Sequence, residues 1–529
     1  MNASLHFTLI LFLGSGLLNA QAPPDDGIVA GIVTDPSGQP LPQATVTLMG
    51  EATPGRSPMS MQSDPQGHFQ FEKVAPGGYR LTGQRAGYVR TQSWRTPGGG
   101  EAASLQVSTN RPVTGLRIVL IRAASVSGRV VDEFGDPRTA LVSIIMKANR
   151  YGRTELRRMG SVRSDDHGEF LIADAPPGKY YVLVAPGEQA GTARTEMYLS
   201  TFLGNTTTLE QAATVDLDPG SPVEGLTIKL VKSAVTTVHG KMRDARLGQM
   251  VSLSPIGPLG DISGWTAQTQ SDGSFVISAP PGDYHLAAGL RIGNDFRGWM
   301  DYRVDPADHR SIELALDPPF AMKARVVLEK ESPNEDPQPP EFPAVRVTLT
   351  PPDFPFARVA ARSNAKGEIE FPRLLRTKYR MDISGLPDGV YFAGVRPNPG
   401  ADISDALDLT AGAPAAAVPV IVRDSPGALA GRVTADDKPY PAAVVTLLPE
   451  PERPDQSYFY RRVIADDHGQ FTIPNLAPGD YVAYAWDDLP ADGETDSEIQ
   501  KRYRDQASPI SIRKNSSSSV TLPLIHSGE

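Results

Sequence analysis

Histidines that recur beside a glycine are the first residues in this chain that could do chemistry. His68, His167 and His468 each lie next to a glycine in related stretches of sequence. Imidazole nitrogens bind zinc, but all of the ligands must lie within about 2.0–2.1 Å of one ion. These three histidines belong to separate copies of a repeat, so we expect exposed turn residues and predict no metal site.

Paired carboxylates beside two of these histidines raise the question of a calcium site. The pairs are Asp165–Asp166 and Asp466–Asp467. Calcium takes about six to eight oxygen ligands, which a calcium loop supplies from alternating acidic or amide residues and a distal glutamate. Asp-Asp-His-Gly supplies too few oxygens, so the sequence favours an ordinary turn at both places.

Motifs of nucleophilic catalysis and of phosphate binding do not occur in the sequence. It has no Gly-x-Ser-x-Gly nucleophile elbow, no Gly-x-x-x-x-Gly-Lys-Ser/Thr loop, and no Gly-x-Gly-x-x-Gly after a predicted strand. We therefore predict no catalytic residues, no cofactor and no enzymatic activity.

The aromatic side chains that could bind a ligand are the four tryptophans, Trp94, Trp265, Trp299 and Trp486. Exposed rings of this kind could stack on the faces of sugars, which makes them the candidates for carbohydrate binding. Large aromatic side chains more often pack in a core or an interface. The four also occupy different positions in the repeat described next, which argues against one site repeated along the chain.

One stretch of sequence recurs along the chain and must position these residues. It reads DPQGHFQFEKVAPGGYRL from Asp64, DDHGEFLIADAPPGKYYVLVA from Asp165, SDGSFVISAPPGDYHLAA from Ser271, NAKGEIEFPRLLRTKYRM from Asn364 and DDHGQFTIPNLAPGDYVAYAW from Asp466. A glycine and a tyrosine align in every copy: Gly67 and Tyr79, Gly168 and Tyr180, Gly273 and Tyr284, Gly367 and Tyr379, Gly469 and Tyr481. Their nearly constant separation indicates a strand between two turns.

Each copy predicts a β-hairpin. Asp-x-x-Gly is typical of a type I turn closed by a glycine that tolerates positive φ, and the aspartate oxygen accepts hydrogen bonds from nearby amides. The following residues, such as FQF or FTI, alternate with the period of two that a half-buried strand shows. The Pro-Gly element then turns the chain again, and the tyrosine begins a second strand.

Apolar runs before and after each copy complete the predicted fold. Upstream, AGIVTDPSGQPLPQATVTLMG predicts two strands, with Ala44, Val46 and Leu48 directed inward. Downstream, each copy is followed by one more apolar run, such as GLRIVLI from Gly115 and VTLPLI from Val520. We therefore predict an all-β protein, a tandem array of five small antiparallel β-sandwiches, each of which keeps its closing strand.

Domain boundaries follow from the repeat. We expect sandwiches over 27–122, 123–232, 233–317, 318–423 and 424–529. The fourth copy is divergent, because RTKY replaces the Pro-Gly-x-Tyr element before Tyr379, and Ala324 stands where other copies have glycine. The predicted joints are short, and the sequence is compatible both with a semi-rigid file of domains and with a folded-back arrangement.

The recurring frame G-x-V-x-D, G-x-P, A-x-V-x-L, D-x-x-G-x-F-x-F and P-G-x-Y-x-L resembles the carboxypeptidase regulatory-like domain. The resemblance covers nearly all of the chain after residue 20 and is best in the first, second and fifth copies. It implies a prealbumin-like sandwich. It implies nothing about activity, because fold and function are separable.

The N-terminus resembles a secretory signal peptide over residues 1–20. An apolar run from Leu5 to Leu18 is short for a membrane span, and the small residue Ala20 precedes QAPPDD. We expect cleavage after Ala20 and no membrane span in the mature protein; the alternative is an uncleaved anchor. The chain has no cysteine, which excludes disulfides and suits a bacterial envelope.

Composition limits the kinds of partner. The chain has 529 residues, too many for one core, and its 49 glycines and 49 prolines favour many turns. The formal net charge is -10, and no dense cluster of Lys and Arg stands out, so we predict no binding to nucleic acid or to an anionic membrane surface.

Two insertions between the tyrosine strand and the closing strand are the places where we first expect a binding surface. They are Gly187–Gly220 and Asp487–Ile512, and loops on a rigid sandwich are where function tends to lie. In the second insertion, Thr495 and Glu498 have capping-box spacing before IQKRYRDQ, which predicts one short helix.

These observations favour a non-catalytic protein exported to the cell envelope, in which the repeated sandwiches serve as a structural spacer, a scaffold or an adhesion surface. A second hypothesis is a protein that binds polysaccharide or another extracellular polymer. A third is an accessory partner of an outer-membrane transporter or a secreted peptidase, which implies that envelope proteins are its partners.

Overall fold

The computed structural model describes most of the chain after residue 26. The described residues are 27–50, 57–90, 94–95, 101–102, 105–107, 112–150, 153–187, 193–243, 249–290, 295–307, 311–314, 319–330, 345–352, 358–397, 403–404, 406–441, 443–453, 457–466, 468–487, 489, 493 and 496–526. The predicted signal peptide lies outside them.

Almost all regular structure in the described residues is β-strand, as the sequence predicts. The strands form sandwiches, each with its own apolar core. We name each sandwich by its first strand. The predicted inward residues Ala44, Val46 and Leu48 are at most 1% exposed, which confirms the alternating pattern in that strand.

The β1 sandwich contains β1 (Gly27–Thr34), β2 (Thr45–Gly50), β3 (Met59–Gln62), β4 (His68–Val74), β5 (Gly77–Gln84), β6 (Trp94–Arg95), β7 (Glu101–Ala102), β8 (Leu105–Val107) and β9 (Val113–Val119). Its sheets have the strand orders β4-β1-β9-β6-β7 and β3-β2-β5-β8.

The β10 sandwich contains β10 (Ala124–Val131), β11 (Ala140–Arg150), β12 (Arg153–Arg163), β13 (Glu169–Ala175), β14 (Gly178–Pro186), β15 (Glu196–Tyr198), β16 (Thr201–Phe202), β17 (Thr214–Leu217) and β18 (Pro222–Lys229). One sheet has the order β13-β10-β18, and the other has the order β12-β11-β14-β16, with β17 also on β14. The strand β19 (Lys232–Ala234) follows in the joint and pairs with β15.

The β20 sandwich contains β20 (Thr236–Met242), β21 (Met250–Pro255), β22 (Trp265–Gln268), β23 (Ser274–Ala279), β24 (Gly282–Leu290), β25 (Asp295–Val304) and β26 (Ile312–Leu314), with a 3₁₀ turn over Pro258–Asp261. Its sheets have the orders β23-β20-β26 and β22-β21-β24-β25.

The β27 sandwich contains β27 (Phe320–Glu329), β28 (Arg346–Thr350), β29 (Val359–Arg362), β30 (Glu368–Leu374), β31 (Lys378–Ser384), β32 (Tyr391–Val395), β33 (Ala406–Asp408) and β34 (Val418–Arg423). Its sheets have the orders β30-β27-β34-β32 and β29-β28-β31-β33.

The β35 sandwich contains β35 (Gly427–Ala435), β36 (Lys438–Pro439), β37 (Val444–Pro449), β38 (Arg461–Ile464), β39 (Gln470–Leu476), β40 (Gly479–Trp486), the helix α1 (Ser497–Arg502), β41 (Ser508–Ile512) and β42 (Ser517–Ile525). Short 3₁₀ turns cover Ser457–Phe459 and Arg504–Gln506. β42 pairs with β35 along most of its length and with β40 at its end, so the two layers join into one sheet.

The predicted hairpin of the repeat is wrong. The strands on either side of the Pro-Gly element, β4 and β5, pair with β1 and β2 respectively and so belong to opposite sheets. The corresponding strands in the other sandwiches also pair with different partners. Strands that face each other across a core bury alternate residues just as hairpin strands do. Periodicity alone therefore could not distinguish a hairpin from a corner between sheets.

The closing strand stays in its own sandwich, as predicted, but it pairs in parallel with the first strand. This holds for β9 on β1, β18 on β10, β26 on β20, β34 on β27 and β42 on β35. The sandwiches are therefore mixed rather than purely antiparallel, because a period of two carries no information about strand direction. The division of the chain into five domains at the predicted boundaries remains a proposal.

Candidate functional site

In four of the five repeat copies, a side-chain oxygen at the start of the turn accepts two backbone hydrogen bonds. Oδ1 of Asp165 accepts the backbone N–H groups of His167 and Glu169 at 2.9 and 2.7 Å. Equivalent pairs of hydrogen bonds are made by Asp64, Asn364 and Asp466. These acidic and amide groups therefore stabilise their own turns, which is the role that the Asp-x-x-Gly pattern predicts.

The histidines beside these turns lie at the surface. The side chains of His68 and His167 are 62% and 76% exposed, and Asp467 lies outside the described residues. Within the part of the chain that the structure describes, no group of three or more His, Cys, Asp or Glu residues is placed to hold a metal ion.

The tyrosine of the repeat is buried in every copy, and its hydroxyl donates to a backbone carbonyl of the preceding turn. The donor–acceptor pairs are Tyr79 with Ala75, Tyr180 with Pro177, Tyr284 with Pro280, Tyr379 with Leu375 and Tyr481 with Ala477. Burial raises the pKa of Tyr284 and the pKa of Tyr379 to about 12. The most regular aromatic residue of the repeat is therefore a structural anchor.

A buried hydroxyl immediately before the turn is a second anchor, and sequence reasoning missed it. Oγ of Ser164 accepts the N–H of Ala140 at 2.9 Å and donates to the carbonyl of Arg138 at 2.8 Å. The equivalent residues in the other copies are Ser63, Thr269, Ser363 and Ala465, and the first three make a similar bond to a neighbouring strand. Aligning the copies one residue further upstream would have exposed this pattern.

Trp486 is a core residue in this structure and not a stacking platform. Trp486 is 2% exposed, and its Nε1 donates a hydrogen bond to Oγ1 of Thr446 at 3.0 Å. Tyr484 stacks on the indole with the ring centroids 5.5 Å apart, and Tyr503 meets it edge-on at 5.1 Å. A ring enclosed in this way offers no free face to a sugar.

Two other tryptophans are half-buried. Trp265 lies edge-on to Tyr284 with the ring centroids 5.5 Å apart, and Trp299 lies edge-on to His285 at 4.9 Å. The backbone of Trp94 lies in β6, and its side chain is outside the described part of the chain. Carbohydrate stacking therefore remains a hypothesis for Trp94, Trp265 and Trp299.

Open grooves lie at equivalent places on the first two sandwiches. One, of about 670 Å³, runs beside β1 and β4 and is lined by Ile32, Met61 and His68 among others. The other, of about 760 Å³, runs beside β10 and β13 and includes Arg129 and Leu171. Among the described lining residues of either groove there is no tryptophan, so Trp265, Trp299 and Trp486 do not belong to these grooves.

The first insertion is used to join two sandwiches. Within it, β15 pairs antiparallel with β19, the strand in the joint that leads to β20. The backbone N–H of Leu199 donates to the carbonyl of Val231 at 2.8 Å, and the N–H of Val235 donates to the carbonyl of Thr195 at 3.0 Å. Met197 on this strand is buried in the core of the β20 sandwich.

A network of charged and polar groups surrounds the same joint. The hydroxyl of Tyr198 donates to the carboxylate of Glu133, and this bond lowers the pKa of Glu133 and raises the pKa of Tyr198. Lys232 lies 3.7 Å from Glu133 and 3.1 Å from Glu196. Arg138 lies over the ring of Tyr198 at 5.1 Å. Each charged group in this network contacts a group of opposite charge or an aromatic ring, so the contacts stabilise the joint.

The second insertion covers the outer face of the β35 sandwich. The predicted helix is present as α1, although Thr495 and the side chain of Glu498 lie outside the described residues. Ile499 and Tyr503 pack against Trp486 in a cluster outside the main core. The two places where the sequence first suggested a binding surface are therefore occupied, in their described parts, by contacts within the chain.

The divergent fourth copy also makes a contact between sandwiches. Leu375 occupies the place where other copies carry alanine or proline, and it packs with Ala287 and Trp299 of the β20 sandwich. The hydroxyl of Tyr379 accepts the backbone N–H of Leu375 at 2.8 Å, so the altered turn keeps its tyrosine anchor.

The β27 and β35 sandwiches meet through aromatic side chains. Tyr391 is buried in the cluster that forms the β35 core. Tyr458 lies edge-on to Phe392 with the ring centroids 5.6 Å apart, and its hydroxyl donates to the carbonyl of Asn475 at 3.1 Å. The side-chain oxygen of Asn475 in turn accepts the N–H of Gly389 at 3.0 Å.

No helix among the residues that can be described is long and apolar enough to cross a membrane.

Comparison with protein families identifies part of the chain. Residues 28–121 match the model of the carboxypeptidase regulatory-like domain. This range coincides with the β1 sandwich, which confirms the resemblance for that sandwich. No curated protein matches the chain.

Solved structures that resemble the chain, at low sequence identity and low TM-score, include a Bacillus anthracis protein and two pilins. The Bacillus anthracis TIE protein has 12% identity and a TM-score of 0.17, with 73% of this chain and 68% of that chain covered. The minor pilin of Streptococcus agalactiae has 14% identity and a TM-score of 0.19, with 39% of this chain and 94% of the pilin covered. The major pilin subunit of Bacillus cereus has 11% identity and a TM-score of 0.14, with 94% of this chain and 98% of the pilin covered. Similarity at this level carries no functional argument.

Proposed function

We propose that the whole protein is a non-catalytic structural component of the cell envelope. Its residues 28–121 form a carboxypeptidase regulatory-like domain. Its five proposed domains, 27–122, 123–232, 233–317, 318–423 and 424–529, follow a signal peptide over 1–20. Together they serve as a scaffold, spacer or adhesion surface outside the cytoplasm, and their partners are envelope proteins or polysaccharides.

One observation carries this proposal: the polar residues that recur in most copies of the repeat make their hydrogen bonds within the fold itself. The turn carboxylate of Asp165, the hydroxyl of Ser164 and the hydroxyl of Tyr180 all bond to backbone groups of their own sandwich. Catalytic groups differ from these, because they must present a reactive atom to a substrate. A repeat whose polar groups are bonded to the backbone is what a structural module requires.

Export is tested by recovering the full-length chain from its bacterial host. We expect protein in the envelope fraction or the medium, with a mature N-terminus at Gln21. Recovery only from the cytoplasm, with residues 1–20 attached, would contradict the proposal. Crosslinking in intact cells, followed by mass spectrometry, then names the envelope partner.

The absence of catalysis is tested on the same mature protein with peptide, ester and polysaccharide substrates. Turnover that persists through repurification and disappears on a single substitution would overturn the structural assignment. Retention on insoluble polysaccharides separates a structural role from carbohydrate binding. Loss of retention in Trp265→Ala or Trp299→Ala, with retention kept in Trp486→Phe, would favour carbohydrate binding.

A further inference from the structure

One position of the repeat, three residues after the tyrosine, marks the same face in every sandwich. The residues at this position are Thr82, Leu183, Ala287, Asp382 and Tyr484. On the neighbouring strand they lie opposite a serine or a threonine in every copy: Thr47, Ser143, Ser252, Thr348 and Thr446. Successive side chains of a strand point to opposite faces. Because the tyrosine points into the core, this position lies on the outer face of the same sheet.

In the β10 sandwich, the next sandwich along the chain covers part of this outer face. Leu183 is 1% exposed and lies in an apolar cluster with Phe202 of the first insertion and Ile262 of the β20 sandwich. Nη2 of Arg158, on strand β12, donates a hydrogen bond to the carbonyl of Ile262 at 3.0 Å. The outer face of the β10 sandwich therefore receives an element of the sandwich that follows it.

In the β20 sandwich, the equivalent residue also meets the sandwich that follows. Ala287 is 4% exposed and packs with Leu375 of the β27 sandwich. Trp299 lies opposite Ala287 on strand β25 and packs against the same pair. Two successive sandwiches therefore use the same outer face to receive the next one.

The β1 and β27 sandwiches carry polar residues at this position. They are Thr82 and Asp382, and the carboxylate of Asp382 lies 3.7 Å from Nε of Arg380. Among the described residues, no apolar cluster forms on either of these outer faces. The β27 sandwich instead meets the β35 sandwich through Tyr391 and Phe392, which belong to its other sheet. An apolar residue at this position therefore accompanies an apolar contact on the outer face.

In the β35 sandwich, residues of the second insertion cover the equivalent face. Tyr484 is 2% exposed and lies in a cluster with Leu489, Ile499, Tyr503 and Ala507. We call these four residues of the insertion the cap. The cap occupies the place at which the β10 and β20 sandwiches receive an element of the following sandwich.

Polar contacts fasten the cap to its own sandwich. Nη2 of Arg462, on strand β38, donates a hydrogen bond to the carbonyl of Leu489 at 2.8 Å. Nη2 of Arg504 donates to both carboxylate oxygens of Glu450, at 3.0 and 3.1 Å. Lys501 of the helix is exposed. The cap therefore replaces an apolar face, which would favour association, by a surface that carries charge.

We propose that the outer face marked by Leu183, Ala287 and Tyr484 is the surface through which one sandwich receives another, and that the cap closes this surface in the β35 sandwich. When the cap is released, the face around Tyr484 binds a second copy of the chain. Ile262 and Leu375 are already buried in the joints of that copy, so it contributes its own uncovered face. Contact between two identical faces gives a closed dimer. The proposal goes beyond the structural role and does not depend on export.

The test removes the cap from the full mature chain. Ala483 of β40 pairs with Ser508 of β41, so a linker has to span only the end of a hairpin. Residues 489–507 are replaced by about six Gly and Ser residues, which reach up to about 20 Å. We expect the sedimentation coefficient to rise with protein concentration in the shortened chain and to stay constant in the unmodified chain.

A charge on the uncovered face provides the matched comparison. Tyr484→Lys in the shortened chain should abolish the concentration dependence, because association would bury an unpaired charge. In the chain of full length, Ile499→Asp together with Tyr503→Asp should release the cap and cause association. Lys501→Ala, at an exposed position of the same helix, should not. Unchanged hydrogen exchange in β35 and β39 shows that the sandwich remains folded.

Two results would overturn the proposal. One is a folded, shortened chain whose sedimentation does not depend on concentration. The other is association that persists with Tyr484→Lys, which would place the contact on another surface. If the shortened chain does not fold, the double variant at Ile499 and Tyr503 decides. Fast hydrogen exchange in α1 without association would then have the same meaning as the first result.

Discussion

Met197 and Tyr198 are adjacent residues of strand β15, and they are buried in two different hydrophobic cores. Met197 is 3% exposed and lies in the core of the β20 sandwich, whereas Tyr198 is 8% exposed and lies in the core of the β10 sandwich. Successive side chains of a strand point to opposite faces. A three-residue strand between two sandwiches therefore contributes one side chain to each of their cores.

Other residues that depart from the repeat also contact a neighbouring sandwich. The insertion that carries Met197, the altered turn at Leu375 and the aromatic side chain of Tyr458 each lie at a contact between sandwiches. The tyrosine that recurs in every copy bonds within a single sandwich. These three departures from the repeat instead connect one sandwich to the next.

The tyrosine anchor can be measured in the β35 sandwich. Tyr481→Phe removes a hydroxyl that donates to Ala477 at 2.8 Å. We expect the free energy of unfolding to fall by about 1–2 kcal/mol, because a buried carbonyl loses its partner. Tyr440→Phe is the control, since no hydrogen bond of that hydroxyl is found in the described part of the chain. Equal losses in the two variants, measured by urea denaturation, would show that the hydroxyl does not act as an anchor.

Alkaline pH should destabilise the β20 and β27 sandwiches. Burial raises the pKa of Tyr284 and of Tyr379 from 10.0 to about 12, so between these values the unfolded chain releases a proton that the folded chain keeps. The contribution of each buried tyrosine to the free energy of unfolding is fully present below about pH 10. It falls by about 1.4 kcal/mol per pH unit as the pH rises toward about 12. Tyr284→Phe should reduce the slope. A slope that is flat or positive over this range would contradict the expected burial.

The hydroxyl before the turn gives a second test within the repeat. Ser164→Ala removes both the acceptor for Ala140 and the donor to Arg138. We expect a loss of about 1–3 kcal/mol, because buried backbone groups are left without partners. Ser161→Ala, at an exposed position on the neighbouring strand β12, should change stability by less than about 0.5 kcal/mol. Similar losses of stability for the two substitutions would show that the hydroxyl of Ser164 does not stabilise the sandwich.

In the β10 sandwich, the parallel pairing of the first and closing strands leaves no room for a side chain at Gly128. A Cβ atom on Gly128 would lie 2.1 Å from the carbonyl oxygen of Leu226. Gly128→Ala should therefore force the strands apart and cost more than about 2 kcal/mol. Gly187→Ala, whose Cβ would meet only a side-chain nitrogen of Arg163 at 3.4 Å, should be nearly neutral in thermal melting. A neutral Gly128→Ala variant would mean that β18 does not approach β10 this closely.

Much of the single sandwich could be predicted from the sequence, and little of the assembly could. Alternation in the strands around Val46 and the turn chemistry of Asp165 are local properties, so they are visible in one stretch of chain. Which sheet a strand joins, as for β4 and β5, depends on partners far away in the sequence. The burial of Trp486 depends on a helix that follows it, and the role of Met197 depends on a neighbouring core. No pattern within one copy reports these relationships.

The central claim is that departures from the repeat hold neighbouring sandwiches together, and hydrogen exchange of the full chain carrying Met197→Ala tests it most directly. Leu203→Ala is the matched control, because Leu203 lies in the same insertion but packs on the β10 core. We predict that Met197→Ala, which removes a buried side chain at a cost of about 2–5 kcal/mol, speeds exchange in β20 and β23. Leu203→Ala should speed exchange in the β10 sandwich instead. Unchanged exchange in β20 and β23 with Met197→Ala would contradict the claim.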